Sequence, residues 1–420
     1  MKLLVLGINY DPELTGIAVY NTEMCDYLAK KGHEVTILTG FPYYPFGMDF
    51  SSWYSARKLQ SPLFLREIIN GVQVVRVNLL KPKKISTLKR ILHELSFCFF
   101  ACLRLLFLSG KYEAMVCVSP PLLLGLVAYG ASRLRRISFV FHVQDLQPDA
   151  AIELGMIKKG FGVKVLYALE RFIYRKADFV TTVSQGMREK IIAKGFDAKK
   201  VRLLYNWASL EEAAPALRRS VLLEQHGLEK KFIVLHAGNM GQKQDMRVIL
   251  EAARLLKEDS SILFLLIGRG AKRATVEAYI KEQALRNVLL LDVQPKGVIS
   301  AIFSCANVAL ITQEKDVKNI VMPSKVFGPA LTGRPLIVAA SSECEISKLA
   351  QDHHFGLVIE PENASALVEA IKRIKDDKVL AEEMGKSGRL FMQQERNIKT
   401  ILDGFEQEVL TPCVNKVRAF

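Results

Sequence analysis

Three stretches of this sequence combine residue types and spacings that could do chemistry. In the first, the glycine loop Gly238-Asn239-Met-Gly241 follows the apolar run Phe232–His236 and precedes Val248, Ile249, Ala252, Leu255 and Leu256 at helical spacing. A strand feeding a glycine loop that opens a helix offers free N–H groups and the positive helix end to an anion. Lys243 adds a full charge to that loop. An ordinary strand-to-helix turn has the same pattern, so the loop alone decides nothing. The second stretch, His142-Val-Gln-Asp145, sets an imidazole and a carboxylate at the end of the apolar run Ile137–Phe141, where open α/β sheets bind ligands. A core histidine would look the same. The third is a cationic cluster, Lys81, Lys83, Lys84, Lys89 and Arg90, directly before an apolar stretch rich in Leu and Phe from Ile91 to Leu108.

The elements that must position these groups alternate between strand and helix. Residues 3–8 read as a first strand, Ile17, Tyr20, Met24 and Leu28 as one helix face ended by Gly32, and Val35–Thr39 as a second strand. That βαβ order implies a parallel sheet. A hairpin is expected near Ile68–Val77, and strands at 115–119, 137–141, 180–184 and 201–205 complete a first Rossmann-like domain over 1–207. The segment Ala208–Glu229 reads as a hinge. Strands at 232–236, 262–267, 288–291, 308–311 and 335–339 repeat the alternation in a second domain over 208–394, and a C-terminal helix over about 395–420 is expected to pack back on the first. Gly268-Arg-Gly270 and Asp292-Val-Gln294 follow two of these strands on the ligand edge. A chain of 420 residues also calls for two domains, because single cores seldom grow past roughly 250–300 residues. The fold class is therefore α/β, with two doubly wound halves facing a cleft.

Composition narrows the function. A dinucleotide dehydrogenase would carry Gly-x-Gly-x-x-Gly in the first turn and an acidic residue after the second strand; here Gly7 and Gly16 stand far apart and Thr39-Gly40 ends strand two. The net charge of +15 is uneven: residues 1–210 hold 29 Lys/Arg against 16 Asp/Glu, the rest 29 against 27. A basic first half points to an anionic partner: membrane phospholipid, a diphosphate or nucleic acid. No nucleic-acid reading motif is present, and the aromatics are not interleaved with lysines. Seven cysteines, an odd number with no Cys-x-x-Cys, indicate reduced thiols in a cytoplasm rather than a disulfide frame or a zinc site. The apolar start is too short for a signal peptide and reads as a strand. For Ile91–Leu108, Glu94 and Arg104 argue against a membrane span. An interfacial helix with lysines on headgroups and a core helix behind a solvated loop both fit.

The chain resembles glycosyltransferase family 4, the retaining transferases of the GT-B fold, and most closely the colanic-acid and exopolysaccharide group. The resemblance rests on Gly7-Ile-Asn-Tyr-Asp-Pro-Glu-Leu-Thr-Gly16, Lys31-Gly-His-Glu-Val35, Pro42-Tyr-Tyr-Pro45, Ser86-Thr-Leu-Lys-Arg90, Tyr205-Asn-Trp207, Gly238-Asn-Met-Gly-Gln-Lys-Gln244 and Met322-Pro-Ser-Lys325. It implies a hexosyl transfer from a nucleoside-diphosphate sugar, with no cofactor. The donor would be bound by Gly16, Gly238, Asn239, Gly241, Gly268 and Gln294, together with Ser324, and with Lys243 and Lys325 as counter-charges. His142 and Asp145 would orient sugar or acceptor at the catalytic centre beside Lys243. A lipid-diphosphate-linked saccharide would dock on the basic first domain, on the inner membrane face. No Asp-x-Asp occurs, in keeping with a metal-free site.

One departure stands out. Many family members carry two glutamates where this chain has Ile320 and Gly328, the second of which holds the donor ribose, and Gly328-Pro329 interrupts the helix expected there. That departure keeps open a non-catalytic partner in a polysaccharide-assembly complex; a sugar-nucleotide epimerase is a further alternative, against which the 81–108 segment argues because an epimerase needs no lipid acceptor.

Overall fold

Lys2–Leu6 (β1), buried from Leu3 onward, becomes a central strand because the helix Ile17–Lys30 turns the chain back and lays Glu34–Gly40 (β2) parallel to it. Gly32 ends that helix with φ 89°: its N–H donates to Ala29 O and that of His33 to Leu28 O, a left-handed cap that glycine adopts without strain. The computed structural model describes residues 1–13, 16–44, 48–57, 63–82, 86–153, 160–207, 227–294, 296–316 and 324–418.

Phe64–Ile69 (β3) and Val72–Val77 (β4) form the expected hairpin, turned by Asn70 and Gly71, both at positive φ. Ala114–Ser119 (β5), Ser138–Val143 (β6), Phe179–Thr182 (β7) and Val201–Leu203 (β8) follow. The sheet runs β3-β4-β2-β1-β5-β6-β7-β8 and is parallel except at β3. The second sheet consists of Phe232–Ala237 (β9), Ile262–Ile267 (β10), Val288–Leu291 (β11), Val308–Thr312 (β12), Leu336–Ala339 (β13) and Gly356–Ile359 (β14). Its order is β11-β10-β9-β12-β13-β14, all parallel. The sequence reading lacked β14. The chain divides into two compact units, 1–205 with 401–420, and 206–400.

Each sheet reverses its winding once, at β1/β5 and at β9/β12. The helices diverge to opposite faces there and leave a crevice at the strands' carboxyl ends. In the first unit the helices Thr87–Leu106, Leu124–Arg135 and Phe161–Lys176 join strands that advance in one direction, so right-handed crossovers lay them on one face, packed in that order. The segment 401–420 is tied elsewhere in this unit: Tyr27 and Lys31 donate to Asp403, and Ser138 Oγ donates to Cys413 O.

The Ile91–Leu108 stretch lies in the helix Thr87–Leu106, whose first turn is capped by Ser86 Oγ accepting from Lys89 N. One face of it is a core helix and the other is exposed. His93, Phe97, Cys98, Ala101 and Leu105 enter the core, whereas Leu92, Leu95, Phe99, Leu103 and Leu106 face outward. Among the described residues no helix is long and apolar enough to cross a membrane.

Candidate functional site

At the carboxyl edge of the second sheet, the ends of β9 and β10 are laced together by backbone. Gly238 N–H donates to Ile267 O, Met240 N–H to Arg269 O, and Lys272 N–H to Met240 O, at 2.8–2.9 Å. The approach is so close that only glycine fits. A Cβ on Gly268, at φ 145°, would stand 2.0 Å from Gly238 O, and one on Gly270 2.5 Å from Met240 O. Gly238, at φ 133°, lets a side chain cross it: its missing Cβ would meet Lys325 Cε at 2.7 Å.

Lys325 lies in the turn Ser324–Val326, on the β12 side of the winding reversal. Its ammonium donates to Asn239 O and Gln244 Oε1, both at 2.8 Å, and to His236 Nε2 at 3.2 Å. None of these partners carries a negative charge, and burial lowers the lysine pKa to about 7. Burial also holds His236 neutral, helped by the adjacent ammonium. A cation seated among neutral dipoles at the mouth of a parallel sheet is arranged to meet an anion.

Surrounding ion pairs hold the loops in place. Lys272 donates to Gln244 O at 2.7 Å and pairs with Glu314, whose own N–H donates to Lys243 O. Arg269 grips Asp292 with two nitrogens, and this contact holds the Asp292 carboxyl down at about 2. Gln294 Nε2 donates to Asp292 O. Gly238, Asn239, Gly241, Lys243, Gly268, Gln294, Ser324 and Lys325 thus all belong to this edge, and Lys325 touches Asn239 directly.

One local expectation needs correcting. The glycine loop does not open the helix: Met246–Leu255 starts after Asp245, whose carboxylate accepts from Val248 N at 3.0 Å. An aspartate cap satisfies that helix end and supplies its negative charge, so the positive feature at this edge is lysine rather than the helix terminus. The interrupted helix is also resolved. The turn Ser324–Val326 precedes a short helix, Phe327–Leu331, that carries Pro329 in its first turn, and Gly333 closes it at φ 73°. Phe303 packs so tightly on Gly328 that a Cβ there would lie 2.1 Å from its ring. A glutamate at 328 is incompatible with this packing. Ile320 lies outside the described residues.

The remaining candidates belong to the first unit. His142 is inside β6, 3 % exposed, with Nδ1 against Thr181 Oγ1 and Nε2 against Gln144 Nε2, both at 2.9 Å. Burial pulls its pKa down to about 3, so it is neutral at physiological pH with both nitrogens engaged. Asp145 follows, half-buried. Gly16 precedes the helix Ile17–Lys30 at φ 63°. Lys81 donates to Tyr54 OH and lies 4.4 Å from that ring, while Lys89 and Arg90 are exposed on the helix Thr87–Leu106. Lys83 and Lys84 lie outside the described residues.

Sequence reasoning missed Glu13 as a site element. This buried carboxylate, at the winding reversal beside β1, accepts from Asn9 Nδ2 and from the N–H groups of Tyr43 and Tyr44, all at 2.8 Å. Burial lifts its pKa to about 7. It also missed His236, Lys272 and Glu314, which no spacing connects.

Two doubly wound sheets, each with a crevice at its winding reversal, define the GT-B fold. The chain superposes on sucrose-phosphate synthase from Thermosynechococcus elongatus with a TM-score of 0.74 at 18 % identity, covering 98 % of each chain. Anabaena Alr3699/HepE, solved in complex with UDP-glucose, gives 0.71 at 14 % identity over 98 % of this chain and 100 % of that one. Residues 15–207 match the family described as Glycosyl transferase 4-like domain, and residues 219–391 match Glycosyl transferases group 1. The Escherichia coli (strain K12) protein described as "Putative colanic acid biosynthesis glycosyl transferase WcaI" is 33 % identical over 391 residues, 89 % of this chain and 92 % of that one. A Campylobacter jejuni transferase named for an N-acetylgalactosamine-N,N'-diacetylbacillosaminyl-diphospho-undecaprenol acceptor is 25 % identical over 53 % of this chain and 58 % of its own length. The chain belongs to the GT-B glycosyltransferases.

Proposed function

We propose that this glycosyltransferase moves a hexosyl group, with retention, from a nucleoside-diphosphate sugar to a lipid-diphosphate-linked saccharide in bacterial exopolysaccharide or surface-glycan synthesis. The observation that carries the donor class is Lys325, a cation held among neutral acceptors over the Gly238 loop at the winding reversal. The acceptor class and the pathway draw on the relatives' names. The donor diphosphate lies along Gly238–Gly241, with Lys325 and Lys243 as counter-charges. As the bond from the anomeric carbon to the phosphate oxygen breaks, charge grows on that oxygen and the lysines stabilise it without need of a metal. The acceptor hydroxyl adds to the same face of the sugar, and its proton passes to the departing phosphate. His142, neutral and doubly bonded, acts by holding Gln144 and the segment to Asp145, making it a positioning residue.

The acceptor's lipid and the basic charge of residues 1–210 support work at the cytoplasmic membrane surface. The outward Leu and Phe residues of Thr87–Leu106, beside Lys89 and Arg90, supply the contact.

A thermal-shift screen against nucleoside diphosphates and their sugars, with and without chelator, tests the donor site. One ligand at 100 times its dissociation constant adds about 2.7 kcal/mol. A chelator-insensitive shift with one nucleotide supports the reading. No shift with any of them, in folded protein, counts for a non-catalytic partner.

A further inference from the structure

The outward apolar residues of Thr87–Leu106 do not stand alone. All exposed large hydrophobic residues among the described ones belong to the first unit, except Leu255, Val379 and Leu390. Beyond Thr87–Leu106 they recur on the next helices of the same layer. Leu134 is 68 % exposed near the end of Leu124–Arg135, and on Phe161–Lys176 the outward residues are Phe161 (82 %), Val165 and Phe172. The spacing of 161, 165, 168 and 172 is one helical stripe, opposite the buried Val163, Ile173 and Tyr174.

Charge follows the same pattern. On Phe161–Lys176 the exposed charged residues are Lys164, Arg171, Arg175 and Lys176, all basic. Its one acid, Glu170, is buried and accepts from Lys194 at 2.8 Å. Arg133 and Arg135 close the neighbouring helix, and Lys176 lies 5.8 Å from the Phe172 ring, where its stem covers apolar surface and its ammonium stays outside. An apolar stripe flanked only by cations matches the section of a bilayer interface: acyl chains under the stripe and phosphates beside it. A protein partner of ordinary polar surface would leave either the cations or the stripe unmatched.

We propose that Phe161–Lys176 is a second membrane-contacting helix. On this view the first unit lies on an anionic bilayer through the whole three-helix layer, not through Thr87–Leu106 alone. Two contacts separated by the width of Leu124–Arg135 fix the sheet's rotation relative to the membrane plane, which one helix cannot do. The inference rests on the membrane reading of Thr87–Leu106, and the test separates the two.

The full-length protein is co-sedimented with vesicles of zwitterionic lipid, with and without a third of phosphatidylglycerol. Three double variants of exposed residues are compared: Phe161→Asp with Phe172→Asp, Arg171→Gln with Arg175→Gln, and Leu95→Asp with Phe99→Asp. Melting curves check that each is folded. The proposal expects all three to lose binding to anionic vesicles by tenfold or more, with the Arg pair's loss confined to anionic lipid. If the 161/172 and 171/175 pairs bind like wild type while the 95/99 pair fails, the second contact is overturned and the first stands. If wild type does not bind at all, both fall. A Phe161→Trp variant gives a positive readout: quenching of its fluorescence by brominated acyl chains is expected, and its absence in bound protein overturns the proposal.

Discussion

The two units share a winding pattern but commit their charged and apolar surface to opposite places. In 206–400 the informative groups stand at the carboxyl edge of the sheet, where Lys325, Lys272, Arg269 and their partners are locked among backbone carbonyls, and the outer helices expose almost no large apolar side chain. In the first unit the edge at β1 holds a buried carboxyl, Glu13, pinned by three N–H groups, and the unusual surface is the back of a helix layer. The same doubly wound scaffold thus offers a concave polar edge in one unit and an apolar, basic helix face in the other. A shared topology leaves function to the site.

Six measurements would break or sharpen this contrast. The largest effect is expected inside the helix that carries the apolar face. Phe97, fully buried, should cost about 3–5 kcal/mol as Phe97→Ala in chemical denaturation. Lys325→Ala should lower turnover by about 10²–10³, on the order of one preorganised charge-stabilising donor, with melting temperature held or raised. Lys243→Ala should lower it more than tenfold; near-normal turnover would remove Lys243 from the diphosphate site. Gly268→Ala should destabilise by at least about 1–3 kcal/mol, because φ 145° and a Cβ 2.0 Å from Gly238 O leave no strain-free arrangement.

A smaller but diagnostic effect concerns pH. Burial depresses the Lys325 pKa to about 7, so its charge is present below that pH and lost as pH rises through it. Nucleoside-diphosphate affinity should therefore fall above pH 7, approaching about tenfold per unit if the bound anion keeps the lysine protonated. Lys325→Arg should flatten the profile, and an unchanged slope would place the titration elsewhere. The smallest effect is expected at Phe99, one turn from the core on the outward face: Phe99→Ala should change stability by less than about 0.5 kcal/mol. A large loss there would mean that the outward face is packed after all.

Local pattern made much of this legible. The apolar runs of β9 and β10, the Asn70-Gly71 turn and the Gly32 helix end are each specified by neighbouring residues, and the structure has them in place. Resemblance, not spacing, drew attention to Lys325. Its contact with Asn239 spans 86 positions, and no periodicity encodes that. The Lys272–Glu314 pair was invisible for the same reason. Asp245 could have been found, since an aspartate just before an apolar helical stripe is a cap signal, and reading the glycines as the helix start obscured it. β14 escaped because Gly356 opens it and leaves only Leu357-Val-Ile359 as an apolar run. His142 showed the opposite failing: its type announced chemistry, and its burial shows a neutral, fully bonded imidazole.

The segment 401–420 belongs to the unit that begins the chain, with Lys31 bonded to Asp403 and Glu406, and Ser138 to Cys413. During synthesis this order has a cost in time. The first unit emerges from the ribosome early but lacks its last piece until all of the second has been made, at about 5–20 residues per second. For that interval a nearly complete sheet waits with part of its apolar surface uncovered. The second unit, by contrast, is continuous in sequence and can close as soon as it is released.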